Sequence, residues 1–331
     1  MVVRMLMMRF KRRFSSALLF GLLAVISLLI LLTFCHTPCE VGGEREINIS
    51  ELSNNNVELI FATNLLIVVM SAPTHFDVRN VIRETWANTL PNGASVRFVV
   101  GRKNLPEQTL ENVKQENKVN RDLLLLDDIE ESYSSLTKKL LSTLKWVDKH
   151  VKYNFLMKVD EDSFVRVENI LEELLAKPQE KLYWGFFDGR AHVKRSGKWS
   201  EKDFVLCDRY LPYALGGGYV ISKDLVTYVA KNADILKQLN NEDVSLGTWL
   251  GPLDINRIHD VNFDTEYKSR GCYNSYLVTH KKSADELQEL QKNLGMLGRL
   301  CAKENRVRLS YNYNWNDLPT KCCERTDPAI P

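Results

Sequence analysis

One apolar stretch of this 331-residue chain ends in three consecutive carboxylates and then resumes. It reads Phe155-Leu156-Met157-Lys158-Val159-Asp160-Glu161-Asp162-Ser163-Phe164-Val165. The pattern predicts a buried β-strand that carries acidic side chains at its end. Because side chains alternate along an extended chain, Asp160 and Asp162 can converge on one point while Glu161 faces elsewhere. Two convergent carboxylates indicate a hard divalent cation such as Mg²⁺ or Mn²⁺, whose shell is completed by water and phosphate oxygens.

Two other interpretations of the acidic triplet compete with a metal site. An ordinary solvated turn also produces consecutive acids, so the triplet alone does not decide the matter. An EF-hand loop is disfavoured, because that loop needs Gly at its sixth position and Glu at its twelfth. Counted from Asp160, those positions hold Val165 and Leu171. The choice between a metal site and a turn therefore depends on the rest of the chain.

The N-terminal part predicts a membrane anchor. Residues 16–35 are almost wholly apolar, and at about 1.5 Å per residue they span a hydrocarbon core of about 30 Å. Residues 1–15 contain five basic side chains and no acid, so the positive-inside rule makes them a cytoplasmic tail. A cleaved signal peptide is the alternative, but the apolar segment is long and no small-x-small cleavage site follows it. We therefore predict a single-pass type II protein with residues 16–35 as its signal-anchor.

Beyond the anchor, the composition predicts a lumenal stem followed by a globular domain. Residues 36–57 are polar and contain the chain's only glycosylation sequence, at Asn48. Residues 58–331 form the predicted catalytic domain. The seven cysteines match no zinc-binding spacing, so disulfides are expected, with a connectivity that the sequence leaves open. The formal charge of +2 owes its sign to the tail, and no nucleic-acid surface is expected.

Apolar strands alternate with amphipathic helices in the first half of the globular part. This alternation predicts a doubly wound α/β sheet, in which ligands bind beyond the carboxyl ends of the strands. The second half is richer in aromatic residues, and its segment 211–222 places three glycines before an apolar run. The predicted strands are 65–70, 96–101, 122–128, 155–160, 183–187 and one that follows the glycines of segment 211–222. The predicted helices are 77–86, 106–121, 133–147, 167–175 and one that begins at 241.

Four separated motifs resemble the β1,3-glycosyltransferases of family 31. They are residues 79–86, 155–165, 213–222 and 242–244. The resemblance extends from about Leu65 to the C-terminus, and its finer features are similar to those of members that build the glycosaminoglycan linkage region. It implies a GT-A type, Rossmann-like mixed sheet flanked by helices, with Mn²⁺ as cofactor and UDP-galactose as donor. The implied reaction is inverting β1,3 transfer of galactose.

The resemblance also implies an acceptor and a location. The acceptor is the galactosyl-β1,4-xylosyl linkage region of proteoglycan core proteins, in heparan sulfate and chondroitin sulfate biosynthesis. The expected location is the Golgi membrane, where other linkage-region transferases are possible partners. Two rival functions remain open: N-acetylglucosaminyl transfer by the same fold, and a non-catalytic lumenal sugar-binding protein.

Site roles follow from the same resemblance, position by position. Asp160 and Asp162 take the roles of metal and nucleotide-sugar ligands. Glu161 stands where the family has its central Asp and is counted among the donor-binding residues. His280 supplies a further metal ligand, although taken alone it is an ordinary surface or core histidine. Asp243 corresponds to the general base.

The remaining predicted residues surround the donor and the acceptor. Arg79, Arg83 and Lys158 correspond to positions near the donor nucleotide. Acceptor recognition is assigned to one acid and four aromatic side chains: Glu242, Trp184, Phe186, Phe187 and Tyr213. Sugars stack their apolar faces on aromatic rings, and ordinary core packing is the open alternative for each ring.

Overall fold

A seven-stranded mixed β-sheet is the centre of the computed structural model, which describes residues 59–331. Three smaller sheets, of two or three strands each, complete the β-structure of these residues. In chain order the strands are β1 (Phe61–Ala62), β2 (Leu65–Met70), β3 (Ala94–Gly101), β4 (Leu123–Leu126), β5 (Val151–Lys152), β6 (Phe155–Asp160), β7 (Phe164–Val165), β8 (Leu182–Asp188), β9 (Tyr213–Ser222), β10 (Asn256–His259), β11 (Phe263–Asp264), β12 (Gly271–Cys272), β13 (Val278–Thr279) and β14 (Asn305–Arg306).

Seven α-helices connect the strands in the described part of the chain. Helix α3 packs against α5 and α6, and α1 packs against α7. The helices are α1 (Phe76–Glu84), α2 (Glu107–Asn120), α3 (Leu136–His150), α4 (Val167–Leu174), α5 (Lys223–Lys231), α6 (Glu242–Leu250) and α7 (Ala284–Leu297).

The order of the main sheet is β10-β8-β9-β6-β2-β3-β4. Strands β6, β2, β3 and β4 are parallel to one another, while β9 runs antiparallel to both of its neighbours, β6 and β8. This arrangement confirms the predicted mixed α/β sheet. The apolar run Leu65–Met70 forms β2, which lies between two parallel partners and is buried along its whole length. A strand covered on both faces has this nearly continuous apolar sequence.

The observed helix ends differ from the predicted ones by a few residues. Helix α3 begins at Leu136 because a 3₁₀ turn, Tyr133–Ser135, precedes it, whereas the apolar spacing predicted a start at Tyr133. Helix α7 begins with a capping box, in which Ser283 accepts from the backbone N–H of Glu286 and Glu286 accepts from that of Ser283. The helix ends at Gly298, whose φ of 65° is a left-handed conformation that glycine adopts readily.

Two disulfides link four of the five cysteines in the described residues. One joins Cys272 to Cys301, and the other joins the adjacent residues Cys322 and Cys323. Cys207 is exposed and has no disulfide partner among residues 59–331. The expectation of disulfides is therefore confirmed for these four residues.

The predicted tail (1–15), signal-anchor (16–35) and stem (36–57), with Asn48, lie outside the described residues. Within residues 59–331, none of the helices has the length and apolar character that crossing a bilayer requires.

Candidate active site

The acidic triplet lies where the chain passes from the main sheet to a small one. Strand β6 ends at Asp160, and β7 begins four residues later and pairs antiparallel with β13. In that pairing Phe164 lies opposite Thr279. The residue after β13, His280, is therefore carried alongside the triplet. As predicted, the carboxylates stand at the carboxyl end of a central strand.

Asp160, Asp162 and His280 form one cluster of possible metal ligands. A ligand atom from each side chain lies within 4.8 Å of the other two. His280 Nδ1 is 3.0 Å from Asp162 Oδ1, and His280 Nε2 is 3.9 Å from Asp160 Oδ2. The two carboxylate side chains are about one-third exposed, whereas the imidazole is buried. The cluster is therefore open to solvent on its carboxylate side only.

Ser163 and Asp162, which both lie 3.0 Å from Nδ1 of His280, determine which nitrogen of the ring is free. The Ser163 hydroxyl donates to the carbonyl oxygen of Gly217 at 2.6 Å, so its proton is used there. Its oxygen lies 3.0 Å from His280 Nδ1 and must accept from that nitrogen. With the proton on Nδ1, the lone pair of His280 is on Nε2. This polar contact fixes the tautomer and orientation that a metal-binding histidine needs.

The donor set fits a divalent cation. Two carboxylates and one imidazole are suitable ligands for Mn²⁺, and the imidazole distinguishes this set from an all-oxygen Mg²⁺ site. Burial raises the pKa of Asp162, but the hydrogen bond from His280 and the charge and hydrogen bond of Lys281 lower it by more, to about 2. Asp162 is therefore ionised at every physiological pH. Lys281 Nζ lies 3.1 Å from the other oxygen of Asp162.

Two glycines of β9 allow the surrounding side chains to approach its backbone. A Cβ atom on Gly217 would lie 2.6 Å from Cγ of His280, and one on Gly216 would lie 2.9 Å from Oε1 of Glu242. Real Cβ atoms do not make such contacts, so only glycine fits at these positions without displacing the neighbouring side chains. The function of this glycine run is thus close approach, a possibility that the sequence indicated.

Asp243 lies on the other side of Gly216, in the first turn of α6. Its Oδ2 accepts from the backbone N–H of Gly216 at 3.0 Å, and its Oδ1 accepts from that of Val244 at 2.8 Å. Burial and the charge of Glu242 raise the pKa of Asp243, which the charge of Lys158 and the two N–H donors partly oppose, and the pKa is about 7. A carboxylate with such a pKa can accept a proton near neutral pH.

Lys158 connects the two halves of the site. Its ammonium group donates to Asp160 Oδ1 at 2.7 Å, to the carbonyl oxygen of Gly216 at 2.7 Å, and to Oε1 of Glu242. Burial lowers the pKa of Lys158, but the two carboxylates raise it by more, so the group is charged. Because all three protons are used and the side chain is buried, Lys158 has no N–H group free for a further partner.

Arg79 and Arg83 lie behind the site, in an ion-pair network with Glu116. All five N–H groups of Arg79 are used: two bond to Glu116, and three bond to oxygens of the loop that follows β2, at residues 71–73. Arg79 has no exposed surface. Arg83 binds both Glu116 and Asp122. Any effect of Arg79 on a bound donor is therefore exerted through the loop that it holds.

Glu161 is directed at the same loop. Its Oε1 lies 2.5 Å from Nδ1 of His75. Its Oε2 is buried and has no hydrogen-bond partner among the described residues. The structure thus separates Glu161 from the ligand cluster, as side-chain alternation predicted, and leaves one of its oxygens available as an acceptor.

The aromatic side chains predicted to bind an acceptor are in the core. Trp184, Phe186 and Phe187 have no exposed surface, and Tyr213 is buried. Glu242 is buried as well and is paired with Lys158. Core packing, the alternative that the sequence left open, describes the three fully buried rings, since none has a face available to a sugar.

Two residues of the site were not predicted from the sequence. Ser163 orients His280, and Tyr133 donates to the Asn241 side chain at 2.8 Å just before α6. Ser163 could have been noticed in the sequence, because it is a polar residue at the point where the apolar strand pattern resumes after the acids. Nothing in the sequence indicated a role for Tyr133 in the site, since its spacing matched the buried side of an amphipathic helix.

Comparisons with known proteins give consistent results. The family model described as galactosyltransferase matches residues 77–261, a range that contains Asp160, Asp162 and Asp243 but ends before His280. A mouse protein named beta-1,3-galactosyltransferase 6 is 46% identical over 270 residues, which cover 80% of this chain and 83% of the relative. A Xenopus tropicalis protein named UDP-GalNAc:beta-1,3-N-acetylgalactosaminyltransferase 2 is 33% identical over 196 residues, 59% of this chain and 39% of that protein.

Similarity to solved structures is weaker. A galactosyltransferase crystallised with donor and acceptor sugar analogues aligns with 69% of this chain and 95% of its own, at 11% identity and a TM-score of 0.36.

Proposed function

Because this chain belongs to the galactosyltransferase family, we propose that it transfers galactose from UDP-galactose to the galactosyl-β1,4-xylosyl linkage region of proteoglycans. The new bond is β1,3, and the anomeric centre is inverted. The linkage and the donor sugar are supported by the name of the mouse relative, beta-1,3-galactosyltransferase 6. The product is an intermediate of heparan sulfate and chondroitin sulfate biosynthesis.

One observation carries the proposal. A divalent-metal ligand set and a carboxylate with a pKa of about 7 stand on either side of the glycine run of β9. Lys158 bonds to Asp160 on one side and to Glu242, the neighbour of Asp243, on the other. Sugar transfer from a nucleotide diphosphate needs these two features together, one to bind the diphosphate and one to accept a proton.

The reaction follows from the separate roles of the metal ligands and the proton-accepting carboxylate. Asp243 accepts the proton of the acceptor hydroxyl as the acceptor oxygen bonds to the anomeric carbon and the bond from that carbon to the diphosphate oxygen breaks. Asp160, Asp162 and Nε2 of His280 would hold Mn²⁺. When bound, the cation neutralises the charge that develops on the departing diphosphate. A single displacement without a protein nucleophile converts an α-linked donor into a β-linked product.

Residues around the cluster bind and orient the donor in this proposal. The unpartnered Oε2 of Glu161 can accept a hydrogen bond from a donor hydroxyl group. The loop at residues 71–75, to which Arg79 donates hydrogen bonds, forms the adjacent wall of the donor site. Lys158 keeps Asp160 in place and Arg83 stabilises Glu116, so both act on the donor indirectly. A GT-A type fold accounts for acidic ligands at the carboxyl end of a central strand in a mixed sheet.

The proposed location is the Golgi membrane, with residues 16–35 as a type II signal-anchor. The two disulfides support an oxidising compartment such as the lumen of the secretory pathway. Core proteins that carry the linkage sugars would be the macromolecular substrates, and other transferases of the linkage region are candidate partners.

The test is a transfer assay on the purified full-length chain. UDP-galactose, Mn²⁺ and a galactosyl-β1,4-xyloside are supplied with and without EDTA, and the linkage of the product is determined by NMR. A β1,3-linked digalactosyl xyloside that forms only with metal supports the proposal. UDP-N-acetylglucosamine and UDP-N-acetylgalactosamine serve as competing donors, because the second relative is named for the latter.

The rival functions give different outcomes in the same assay. Faster transfer of N-acetylglucosamine than of galactose would replace the proposed donor. Folded protein that binds UDP and Mn²⁺ but transfers no sugar to any acceptor would favour the non-catalytic sugar-binding protein.

A further inference from the structure

Two exposed aromatic side chains meet on loops that are hydrogen-bonded to residues of the site, and no step described above uses them. The ring centroids of Trp199 and Tyr267 lie 5.5 Å apart, and their planes are at 84°. Their exposed fractions are 44% and 66%. We propose that Trp199 and Tyr267 form a stacking platform for the sugar next to the reacting galactose of the acceptor. This inference rests on the proposed function and identifies where its acceptor binds.

The loop of Trp199 is bonded to the residues that precede the catalytic carboxylate. The side-chain amide of Asn241 donates to the carbonyl oxygen of Trp199 at 3.3 Å, and that of Asn240 donates to the carbonyl oxygen of Ser200 at 3.2 Å. Asn241 is the N-cap residue of α6, two positions before Asp243. The position of Trp199 is therefore coupled to that of Asp243.

The loop of Tyr267 is bonded to the metal-ligand side. The carbonyl oxygen of Asp264 accepts from the backbone N–H of His280 at 3.0 Å. The Asp264 carboxylate is fully buried and accepts from the backbone N–H of Arg270 at 2.9 Å and from the hydroxyl of Thr279 at 3.0 Å. Since these bonds fix both ends of residues 264–270, Tyr267 is an exposed ring on a rigid loop.

The residues just before Tyr267 on this loop are buried, in contrast to Tyr267 itself. Thr265 and Glu266, immediately before Tyr267, are buried, and Glu266 is paired with Arg308 and Arg325. A buried, ion-paired loop that presents one aromatic ring to solvent is a stable support for a ligand contact. Because the loop is already held in place, a ligand that stacks on the ring meets a preformed surface.

The two loops together connect the base to the third metal ligand. In the proposed arrangement, an acceptor whose hydroxyl reaches Asp243 packs its next sugar against the ring pair. A pyranose presents C–H groups on one face, and these pack on the electron-rich face of an aromatic ring. An edge-to-face pair leaves ring faces free for such contacts.

The neighbourhood favours a sugar chain over an apolar protein segment. Lys198 and Lys268, the sequence neighbours of the two rings, are exposed lysines. Lys198 also lies over the ring of Tyr133, with its Nζ 4.7 Å from the ring centroid. A small aromatic surface with a polar border is typical of sites that bind a polar ligand with apolar faces, whereas large continuous apolar patches mark protein interfaces.

The test compares a disaccharide acceptor with a monosaccharide acceptor, using the full-length chain. Initial rates are measured with galactosyl-β1,4-xyloside and with methyl β-galactoside, for Trp199→Ala and Tyr267→Ala. We expect each substitution to raise the KM for the disaccharide roughly tenfold, the loss expected for one aromatic contact, and to change that for the monosaccharide much less. Tyr267→Phe keeps the ring and should restore the KM. Ile235→Ala, at another exposed apolar side chain, is the matched surface control.

Each outcome has a defined meaning. An unchanged disaccharide KM in both alanine variants would overturn the platform while leaving the proposed function intact. An equal rise for both acceptors would also overturn it, because the pair would then affect the reacting galactose or the fold and not the second sugar. If the unaltered chain transfers nothing to galactosyl-β1,4-xyloside, the proposed function fails first, and the platform fails with it.

Discussion

The hydroxyl of Ser163 lies 3.0 Å from Nδ1 of His280 and donates its own proton to the Gly217 carbonyl oxygen. This contact leaves the lone pair of the imidazole on Nε2, the atom that faces Asp160. Ser163, which is not itself a metal ligand, therefore shares control of the histidine tautomer with Asp162, whose Oδ1 also lies 3.0 Å from Nδ1.

The first prediction tests this control. Ser163→Ala removes one of the two acceptors near Nδ1 and leaves Asp162 as the other, so the ring is held less firmly in its ligating orientation. Loss of such an outer partner typically weakens metal binding about 10- to 100-fold. We expect the Mn²⁺ concentration for half-maximal transfer to rise by this factor, and calorimetric titration with Mn²⁺ and UDP to show the same change. Asp162→Ala should be more severe, and unaltered Mn²⁺-dependent UDP affinity in that variant would contradict the ligand assignment.

The second prediction concerns Gly217, whose added Cβ would lie 2.6 Å from the ring of His280. Gly217→Ala should displace that ring and reduce metal-dependent UDP binding about as much as His280→Ala does. Gly295→Ala is the matched control, because a Cβ at this helical position meets nothing within 4 Å. The control should stabilise the protein by about 0.5–1 kcal/mol through helix propensity and leave UDP binding unchanged. Equal UDP affinity in Gly217→Ala and the unaltered protein would contradict the close-approach argument.

Much of this arrangement could be predicted from patterns in the sequence. The convergence of Asp160 and Asp162 follows from side-chain alternation at the end of an apolar strand. The central strand Leu65–Met70 was identified with its observed ends, since a buried parallel strand has a distinctive composition. These features depend on local alternation and composition, which a single sequence displays directly.

Other features depend on contacts between distant parts of the chain. Trp184 and Trp199 are both tryptophans in the second half, yet one is fully buried and the other is 44% exposed. The local sequence predicted a strand at 183–187, but it did not indicate that both faces of this strand are covered and that its rings are therefore inaccessible. Similarly, the burial of Arg79 depends on Glu116, which lies 37 residues away. Long-range pairing decides such cases, and residue spacing does not reveal it.

The third prediction concerns the proposed base. Asp243→Asn keeps the shape of the side chain but cannot accept a proton, so transfer should fall about 10²- to 10⁴-fold while UDP affinity remains. Because the pKa of Asp243 is about 7, the rate of the unaltered enzyme should fall as the pH is lowered through 7 and the carboxylate becomes protonated. The measurement is a pH profile of kcat at saturating substrates. A rate that stays constant down to pH 5 would exclude Asp243 as the group that must be ionised.

The fourth prediction separates Arg79 from Arg83. Arg79→Met leaves the buried Glu116 without its main partner and frees the loop at residues 71–73, so the protein should lose about 3–5 kcal/mol of unfolding free energy. The KM for UDP-galactose should rise as well, because in the proposed function the loop forms one wall of the donor site. Arg83→Met is the control: Arg83 is partly exposed and does not contact the loop, so its loss should cost less and affect the donor KM less. The comparison uses urea unfolding and donor kinetics on both variants. Equal effects of the two substitutions would contradict the loop-holding role.

The last prediction concerns His259, which is bonded on both sides of its ring. Its Nδ1 accepts from the backbone N–H of Phe187 at 3.0 Å, and its Nε2 donates to the carbonyl oxygen of Tyr311 at 2.9 Å. Burial lowers the pKa of His259 to about 4, which the bond to Tyr311 only partly opposes. In the unfolded chain the pKa is near 6.5, so between pH 6.5 and 4 the unfolded state binds more protons than the folded state.

The stabilisation from neutral His259 is therefore complete above pH 6.5 and is lost progressively as the pH falls to about 4. Urea unfolding at pH 7, 5.5 and 4.5 measures this loss for the unaltered protein. His259→Gln can accept from Phe187 or donate to Tyr311 but does not titrate, so its unfolding free energy should be lower at pH 7 and should depend less on pH across this range. If both proteins lose stability with the same slope, other groups control the acid sensitivity, and His259 is not the buried neutral histidine that its contacts indicate.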